Sequence, residues 1–385
     1  MKNICVVITA RPSYSRIRSA LIALRKYDGI NLQLVAAASA VLDTYGKVIN
    51  QIKADGFSLA ATVYDMVEGE NLVTSAKTTG LGIIELANVF NNIHPDYVVT
   101  IADRYETIST AIAAAYMNIP LIHIQGGEVT GNIDEKVRHA ITKLADIHLV
   151  STEKARERVI KMGEEPDRVF VTGCPSIDIA AEVIKNYEKL KFDPIERYNG
   201  VGKLLKDRER YIVVMQHPVT TNLGEVRSQT RCVLEAVEKL DRQVYWFWPN
   251  VDAGADVVSK EIRIHREHGL AKNIYFFKNM APDDFLTLLL GSVCIVGNSS
   301  VGIRECSFLG VPAINLGDRQ IGRERGKNVI DLPYETEAIV TTLHQVSLSP
   351  RPASDTLYGD GKAGERIAKV IASLDEIAIN KMLAY

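Results

Sequence analysis

The chain has 385 residues, of which 46% are hydrophobic and 24% are charged, the usual composition of a globular protein. This length exceeds what one hydrophobic core normally serves, so two domains are expected. The 45 Lys and Arg residues nearly balance the 47 Asp and Glu residues, which argues against a general nucleic-acid-binding or membrane-surface protein. No apolar run reaches membrane-spanning length, and the apolar start of the chain is interpreted as a first β-strand and not as a signal peptide. We therefore expect a cytoplasmic protein.

The first half of the chain alternates apolar, strand-like segments with helix-like segments. The predicted strands are 4–9, 32–38, 97–102, 120–124, 147–151 and 168–173. The predicted helices are 12–27, 72–92, 107–117 and one that begins near residue 134. Repetition of strand and helix in this way predicts an α/β fold with a parallel sheet that carries helices on both faces.

A polar stretch at 185–210, which contains one Pro and two Gly residues, is interpreted as a linker. Strand-like runs then resume at 211–216, 243–248, 273–277, 292–297 and 311–316, and a last helix is predicted from about 364 to 379. The expected domains are 1–184 and 211–363, followed by a terminal segment at 364–385. Two successive doubly wound domains would hold a ligand between them, at the carboxyl ends of their strands.

The first two motifs follow predicted strands of the first domain. In TARPSYSR, 9–16, Arg11 precedes a helix that begins with a proline, and the guanidinium and the free N–H groups of the helix can bind an anion. In IADRYET, 101–107, Asp103 can act as a general acid or base beside Arg104. The alternatives are a solvated arginine and a helix-capping aspartate.

The segment HIQGGEVTGNIDEKVRH, 123–139, carries the most information. Its paired glycines let the backbone approach a ligand closely. Glu128 and Asp134 bracket the loop, and two such carboxylates suit proton removal on one side of a carbon and proton delivery on the other. Asp134 and Arg138 are four residues apart, so the alternative is a capped helix with a surface ion pair.

Motifs in the second domain suit phosphate binding. His217 follows a strand, and Ser299 and Ser300 begin a helix predicted from about Val301, where hydroxyl and N–H groups can hold a diphosphate. Further candidates for substrate or nucleotide contacts are Asn250, Arg304 and Glu305. A structural histidine and a serine helix cap are the alternatives. Neither a GxxxxGKS loop nor a GxGxxG turn occurs, so an ATPase and a typical NAD enzyme are disfavoured.

No metal or redox cofactor is expected. The five cysteines are odd in number and contain no CxxC pair, which is typical of buried thiols in a reducing compartment. The His123–Glu128 segment offers too few ligands for a metal ion.

Taken together, TARPSYSR, ADRYE, HIQGGEVTGNIDEKVRH, HPVTT and GNSSVGIRE resemble the UDP-N-acetylglucosamine 2-epimerase family, and its hydrolysing branch more than its non-hydrolysing one. The resemblance covers nearly the whole chain. It implies a glycosyltransferase-B-like fold of two Rossmann-like domains, with the active site in the cleft between them and the terminal helix packed on the first domain. A homo-oligomer, either a dimer or a tetramer, and a small-molecule nucleotide sugar as the bound partner are expected.

The resemblance also implies a reaction. A base removes the proton at carbon 2 while UDP leaves carbon 1, and water and a proton then add to the 2-acetamidoglucal intermediate to give N-acetylmannosamine. Asp103 and Asp134 match catalytic carboxylates of the family. The residues that match nucleotide or phosphate contacts are Arg11, His217, Ser299 and Ser300, and Glu305 matches a nucleotide or ribose contact.

One position departs from the family pattern. Many hydrolysing members have HIEGGE, whereas Gln125 here replaces that catalytic glutamate. Glu128 would then take over, or the two aspartates would suffice, with Gln125 as a neutral group whose amide donates to a substrate oxygen. The other hypotheses are a UDP- or GDP-linked diacetamido-trideoxyhexose as substrate, a glycosyltransferase, and a nucleotide-sugar sensor without turnover.

Overall fold

The computed structural model describes residues 1–42, 48–69, 71–131, 133–249, 252–375 and 381–384. It contains two compact units. The first comprises Met1–Glu128, Ile133–Asp178 and Tyr358–Tyr385, and the second comprises Val129–Asn132 and Ile179–Leu357. Apart from Val129–Asn132, the chain passes into the second unit after Asp178, ahead of the stretch 185–210 for which the sequence predicts a linker.

The helices have these bounds in chain order: α1 Arg11–Ser15, α2 Arg18–Leu24, α3 Val48–Ala54, α4 Leu72–Ile93, α5 Thr107–Tyr116, α6 Ile133–Leu144, α7 Glu153–Lys161, α8 Pro175–Leu190, α9 Pro194–Arg197, α10 Val226–Glu238, α11 Ala255–Glu267, α12 Pro282–Gly291, α13 Glu305–Leu309, α14 Thr336–Leu348 and α15 Ala363–Ser373. Helices α8 and α9 occupy part of the predicted linker, because the apolar side chains Phe192, Ile195 and Tyr198 pack against a hydrophobic core of the second unit.

The first unit is built on a seven-stranded parallel sheet. Its strands are β1 Lys2–Ile8, β2 Ile30–Ala36, β3 Leu59–Thr62, β4 Tyr97–Ile101, β5 Leu121–Ile124, β6 Ile147–Val150 and β7 Val169–Val171, in the spatial order β3-β2-β1-β4-β5-β6-β7. Alternate residues of β1 enter two different cores, Ile4 in one and Cys5 in the other. Both faces of the sheet are therefore covered, as a continuous apolar strand requires.

The second unit repeats this design. Its strands are β8 Gly200–Gly202, β9 Ile212–Met215, β10 Val244–Phe247, β11 Ile274–Phe277, β12 Ile295–Gly297, β13 Ala313–Leu316 and β14 Val329–Leu332, in the order β14-β13-β12-β9-β10-β11-β8. Only β8 is antiparallel to its neighbour among the described strands. The predicted α/β class is confirmed, with one parallel and one mostly parallel sheet.

Strand order reverses once in each parallel sheet, between β1 and β4 in the first unit and between β9 and β12 in the second. Successive crossovers leave in opposite directions from such a point, and a crevice opens beyond the carboxyl ends of the two strands. Each unit therefore has one topologically favoured position for a ligand.

Helix α15 belongs to the first unit and packs against α2. Ile367, Ala368 and Ile371 lie in the same core as Leu21 and Leu24. The helix ends at Ser373 and not near residue 379, because Leu374 is extended and its carbonyl accepts a hydrogen bond from Lys2 Nζ. Residues 376–380 lie outside the described residues. Within the described ranges, every helix is too short or too polar to span a bilayer.

Candidate active site

The first cluster lies beyond the carboxyl ends of the strands in the first unit. Arg11 begins α1, just after β1, and is half-buried. Asp103 follows β4, the strand on the other side of the reversal point. Arg16 Nη1 lies 3.8 Å from Asp103 Oδ1, so an ion pair connects the two sides of this crevice. The predicted anion-binding arginine and the predicted carboxylate thus lie at one topological site.

Arg138 organises this cluster from α6. Its guanidinium is fully buried, and Nε donates to Asp103 Oδ2 at 3.1 Å. Nη2 also donates to that oxygen, while Nη1 donates to Glu135 Oε2 and to the Glu128 carbonyl oxygen, each at 2.8 Å. Burial opposes the charge of Arg138, but Asp103, Glu128 and Glu135 raise its pKa. One buried cation therefore fixes the Asp103 carboxylate and the end of the glycine loop.

The sequence indicated Arg138 only as a possible surface partner of Asp134. Its contact with Asp103 joins residues 35 positions apart, so no local pattern predicts it. Asp134 lies in the first turn of α6, one turn before Arg138, and is half-buried. Helix α6 thus brings the second predicted carboxylate into the same segment as the organising arginine.

The glycine loop has the tight backbone that its sequence indicates. Gly127 has a φ of +75°, and a Cβ atom there would lie 2.3 Å from the carbonyl oxygen of Ala155, so only glycine fits. Gln125 precedes the glycines and has a φ of +68°, a conformation that is costly for a residue with a side chain. Glu128, which ends the loop, is buried. The backbone on the N-terminal side of Glu128 is therefore tightly constrained.

His123, in β5 just before this loop, has a structural role. Burial lowers the pKa of its imidazole to about 3, so the ring is neutral at physiological pH. Its Nε2 atom lies 2.9 Å from the Ala102 carbonyl oxygen, and its Nδ1 atom lies 3.2 Å from Thr142 Oγ1. Across the described residues, no group of three or more His, Cys, Asp or Glu side chains is arranged to hold a metal ion.

The second cluster lies at the reversal point of the second unit, and Asn298 is its centre. The Asn298 side chain accepts from the His217 N–H at 2.9 Å and donates to the His217 carbonyl oxygen at 2.8 Å. This paired amide bond fixes the chain after β9 to the chain after β12. Gly297 allows the close approach, because a Cβ atom there would lie 2.1 Å from the Met215 carbonyl oxygen.

Sequence reasoning singled out His217 but missed Asn298. The only signal was a polar residue directly after an apolar strand, within the GNSS motif. Tyr334, which also gave no signal, places its hydroxyl 3.3 Å from Asn298 Nδ2 and 2.8 Å from Gln216 Nε2. The Asn298 carbonyl oxygen accepts bonds from Arg319 and Gln320. The end of β12 is therefore held by neutral amide and hydroxyl groups together with one guanidinium.

The two serines follow Asn298 as predicted, but the helix after them begins differently. Residues Ser300–Gly302 form a 3-10 turn in which Ser299 Oγ accepts a hydrogen bond from the Val301 N–H, and α13 begins only at Glu305. Ser300 Oγ accepts a bond from Arg304 Nη2 at 3.0 Å. Arg304 and Glu305 are buried, with their side chains 3.9 Å apart. Ser299 and Ser300 remain half-exposed and thus better placed than this pair to meet a ligand.

The predicted site residues therefore form two groups. Arg11, Asp103, Gln125, Glu128 and Asp134 belong to the first unit, whereas His217, Ser299, Ser300, Arg304 and Glu305 belong to the second. Asn250 lies outside the described residues. The first group is rich in charge and the second in neutral hydrogen-bonding groups.

Comparison with known proteins gives a consistent result. Residues 22–372 match the family model of UDP-N-acetylglucosamine 2-epimerase. A UDP-N,N'-diacetylbacillosamine 2-epimerase (hydrolyzing) of Legionella pneumophila is 31% identical over 387 residues and covers all of both chains. A UDP-N-acetylglucosamine 2-epimerase of Neisseria meningitidis is 29% identical over 96% of this chain and 95% of the relative.

A solved structure supports the fold. The UDP-GlcNAc 2-epimerase of Methanocaldococcus jannaschii, crystallised with UDP-GlcNAc and UDP, superposes with a TM-score of 0.78 at 18% identity. The superposition covers 96% of this chain and 99% of that one. The family resemblance predicted from the motifs is confirmed. The chain belongs to the UDP-N-acetylglucosamine 2-epimerase family.

Proposed function

We propose that this protein is a hydrolysing 2-epimerase that converts UDP-N-acetylglucosamine and water to N-acetylmannosamine and UDP. The observation that carries the proposal is the group formed by Arg138, Asp103, Glu128 and Glu135, which we call the Arg138 cluster. In it the buried guanidinium bonds both the Asp103 carboxylate and the carbonyl oxygen of Glu128, the residue that ends the glycine loop. The reaction needs groups that remove and return a proton at carbon 2, and carboxylates held in a fixed geometry perform such transfers well.

The reaction divides into two balanced steps. A carboxylate takes the proton from carbon 2 as the bond from carbon 1 to the UDP oxygen breaks, which leaves 2-acetamidoglucal and UDP. Water then adds its oxygen to carbon 1, and a proton returns to carbon 2 from the opposite face. We assign these proton transfers to Asp103, Glu128 and Asp134, all of which belong to or adjoin the Arg138 cluster.

The departing UDP carries the negative charge of the first step. We assign its stabilisation to the second cluster, where Ser299 and Ser300 offer hydroxyl and N–H groups at the start of a helical turn. His217, whose backbone is fixed by Asn298, and Arg11 are assigned to the phosphates. Glu305 is buried beside Arg304, so we assign it a supporting role and not the direct ribose contact that the resemblance implies.

A second substrate has specific support. The Legionella pneumophila relative that covers the whole chain is named for UDP-N,N'-diacetylbacillosamine, whereas the Neisseria meningitidis relative of similar identity is named for UDP-N-acetylglucosamine. Both sugars carry an acetamido group at carbon 2 and would react in the same way. They differ at carbons 4 and 6, away from the reacting bonds.

The test is a set of separate incubations with UDP-N-acetylglucosamine and with UDP- and GDP-linked diacetylbacillosamine. We expect release of UDP and of the free 2-epimeric sugar from UDP-N-acetylglucosamine, with the highest kcat/KM of the three. A higher kcat/KM for a diacetylated substrate would assign the protein to the second function. No turnover until an acceptor is added would indicate a glycosyltransferase.

Gln125→Glu separates a working enzyme from a sensor that has lost catalysis. In a working site the added charge replaces an amide that is part of the buried structure, so UDP release should slow. A nearly inert wild type and a large gain in Gln125→Glu would instead indicate a nucleotide-sugar sensor. Both proteins are measured by steady-state UDP release on the same substrate.

A further inference from the structure

The Gln125 side chain has a fixed and polarised environment. It directly follows β5, is buried, and its backbone N–H donates to the Leu149 carbonyl oxygen at 2.9 Å. Its side-chain Nε2 lies 2.7 Å from Cys174 Sγ and donates to the sulfur. The amide group of Gln125 is therefore held at both its backbone and its side-chain end.

Cys174 is itself well placed to act as an acceptor. Its sulfur lies 2.9 Å from Ser176 Oγ, and its backbone N–H donates to the Tyr358 carbonyl oxygen at 2.7 Å. A thiol has one proton and a weak acceptor, so it can donate to Ser176 while it accepts from Gln125. The Gln125 amide accordingly lies with its nitrogen, and not its oxygen, toward the sulfur.

The opposite atom of that amide is left without a bond. Gln125 Oε1 is buried, yet it has no hydrogen-bond partner among the residues that the structure describes. A buried carbonyl oxygen without a partner is costly and uncommon in native proteins. It is tolerated at binding sites, where a ligand supplies the missing donor.

We propose that Gln125 Oε1 accepts a hydrogen bond from the N–H of the substrate's 2-acetamido group, and that Cys174 is the positioning residue that orients it. This inference rests on the proposed function, because the acetamido nitrogen is bonded to carbon 2. That is the carbon at which Glu128, the last residue of the same glycine loop, is assigned to proton transfer. It replaces the expectation from sequence that the Gln125 amide donates to a substrate oxygen, because Nε2 already donates to Cys174 Sγ. Gln125 is thus a specificity residue for an N–H at carbon 2.

The first test compares two unreactive UDP C-glycosides that differ only in the 2-substituent, one 2-acetamido and one 2-O-acetyl. Both keep the acetyl carbonyl, and only the first has an N–H. Displacement of a fluorescent UDP derivative should show that wild type prefers the 2-acetamido compound by about tenfold, the effect of one well-placed hydrogen bond. Gln125→Met, which keeps the volume but has no acceptor oxygen, should bind the two compounds alike.

Equal affinity of wild type for the two compounds would overturn the proposal, because it would mean that the amide nitrogen faces the acetyl oxygen or that a sugar hydroxyl is the donor. A preference that persists in Gln125→Met would also overturn it, since another group would then recognise the N–H. Because the compounds are compared on one protein, a general loss of affinity in a variant does not affect the ratio.

The second test concerns Cys174. In Cys174→Ala the amide loses its acceptor and can rotate, so the preference should fall to about two- to threefold, while Cys174→Ser should retain most of it. Cys5→Ala removes another buried thiol, within β1, and should keep the full preference. An unchanged ratio in Cys174→Ala, or an equal fall in Cys5→Ala, would exclude a positioning role.

These measurements do not need turnover, so the two proposals fail separately. A wild type that shows the preference but releases no UDP from any nucleotide sugar would contradict the proposed function and leave the Gln125 contact standing. A wild type that releases UDP and N-acetylmannosamine without the preference would contradict this inference alone.

Discussion

The two sheets end in clusters of different chemistry. In the first unit the buried guanidinium of Arg138 forms ion pairs with the carboxylates of Asp103 and Glu135. In the second unit a buried asparagine fixes the chain after β9 through its neutral amide. Charged groups can move protons, whereas neutral amides cannot and serve instead to hold backbone donors in place.

This contrast fits the proposed roles, in which carboxylates of the first unit transfer protons and groups of the second unit, together with Arg11, bind the nucleotide. Changes to the carboxylates of the first cluster should therefore reduce kcat and spare UDP affinity, and changes in the second cluster should do the reverse. Substitutions in each cluster and treatment with a chelator test that division.

The largest effect on rate is expected from the predicted carboxylates. Asp103→Asn and Asp134→Asn should each lower kcat by about two to four orders of magnitude, the usual cost of losing a general acid or base. UDP affinity, measured by calorimetry, should change little. Asp167→Asn, at an exposed aspartate of the same unit, serves as the control. Near wild-type kcat in both variants would remove these residues from the mechanism.

Arg138→Met should have the next largest effect, but on the stability of the protein and not directly on its rate. It leaves buried and half-buried carboxylates without their cation, which should lower the free energy of unfolding by about 3–5 kcal/mol. Arg138→Lys keeps the charge and loses the forked geometry, so its loss should be smaller. Urea denaturation measures both. Equal stability of Arg138→Met and wild type would show that this ion-pair cluster does not hold the first unit together.

Asn298→Ala should weaken UDP binding by about tenfold, because the N–H and carbonyl groups of His217 lose their buried partners. The kcat at saturating substrate should be nearly unchanged. Asn273→Ala is a matched control. This buried asparagine lies just before β11, at the amino-terminal end of the strand, and its side chain donates to three backbone carbonyl oxygens. A large fall in kcat with unchanged UDP affinity would reverse the assignment of roles.

The smallest effect is expected from a chelator. Proton transfer by carboxylates and phosphate binding by arginine, histidine and serine need no metal ion, so EDTA should leave kcat/KM within about twofold of its untreated value, well under 1 kcal/mol. Loss of activity in EDTA, with recovery on addition of a divalent cation, would mean that the two clusters are incomplete without a metal.

The fold class could be predicted from the sequence because most strands are apolar runs between helix-like segments. The short edge strands β3, β8 and β14 lack such runs, and β8 is only Gly200–Gly202, so the alternation of residue types could not predict them. The end of the last helix was predicted too late, since the bond from Lys2 to Leu374 joins opposite ends of the chain.

For the site, sequence motifs located the segments but not their contacts. Asp103 was expected to pair with its neighbour Arg104, yet Arg104 Nε bonds Glu106 at 2.7 Å while distant Arg138 holds Asp103. Gln125 was identified from a departure within a motif, but its orientation depends on Cys174, 49 residues away. Contacts between distant strand ends are set by the sheet order, which local patterns do not encode.

The most direct test of the central claim is incubation of the protein with UDP-N-acetylglucosamine in D2O, followed by mass and NMR analysis of the released sugar. A carboxylate that delivers a proton to carbon 2 exchanges with solvent, so the account predicts N-acetylmannosamine with one deuterium at carbon 2, released in equal amount to UDP. Release of N-acetylglucosamine without deuterium at carbon 2 would show simple hydrolysis and contradict the account.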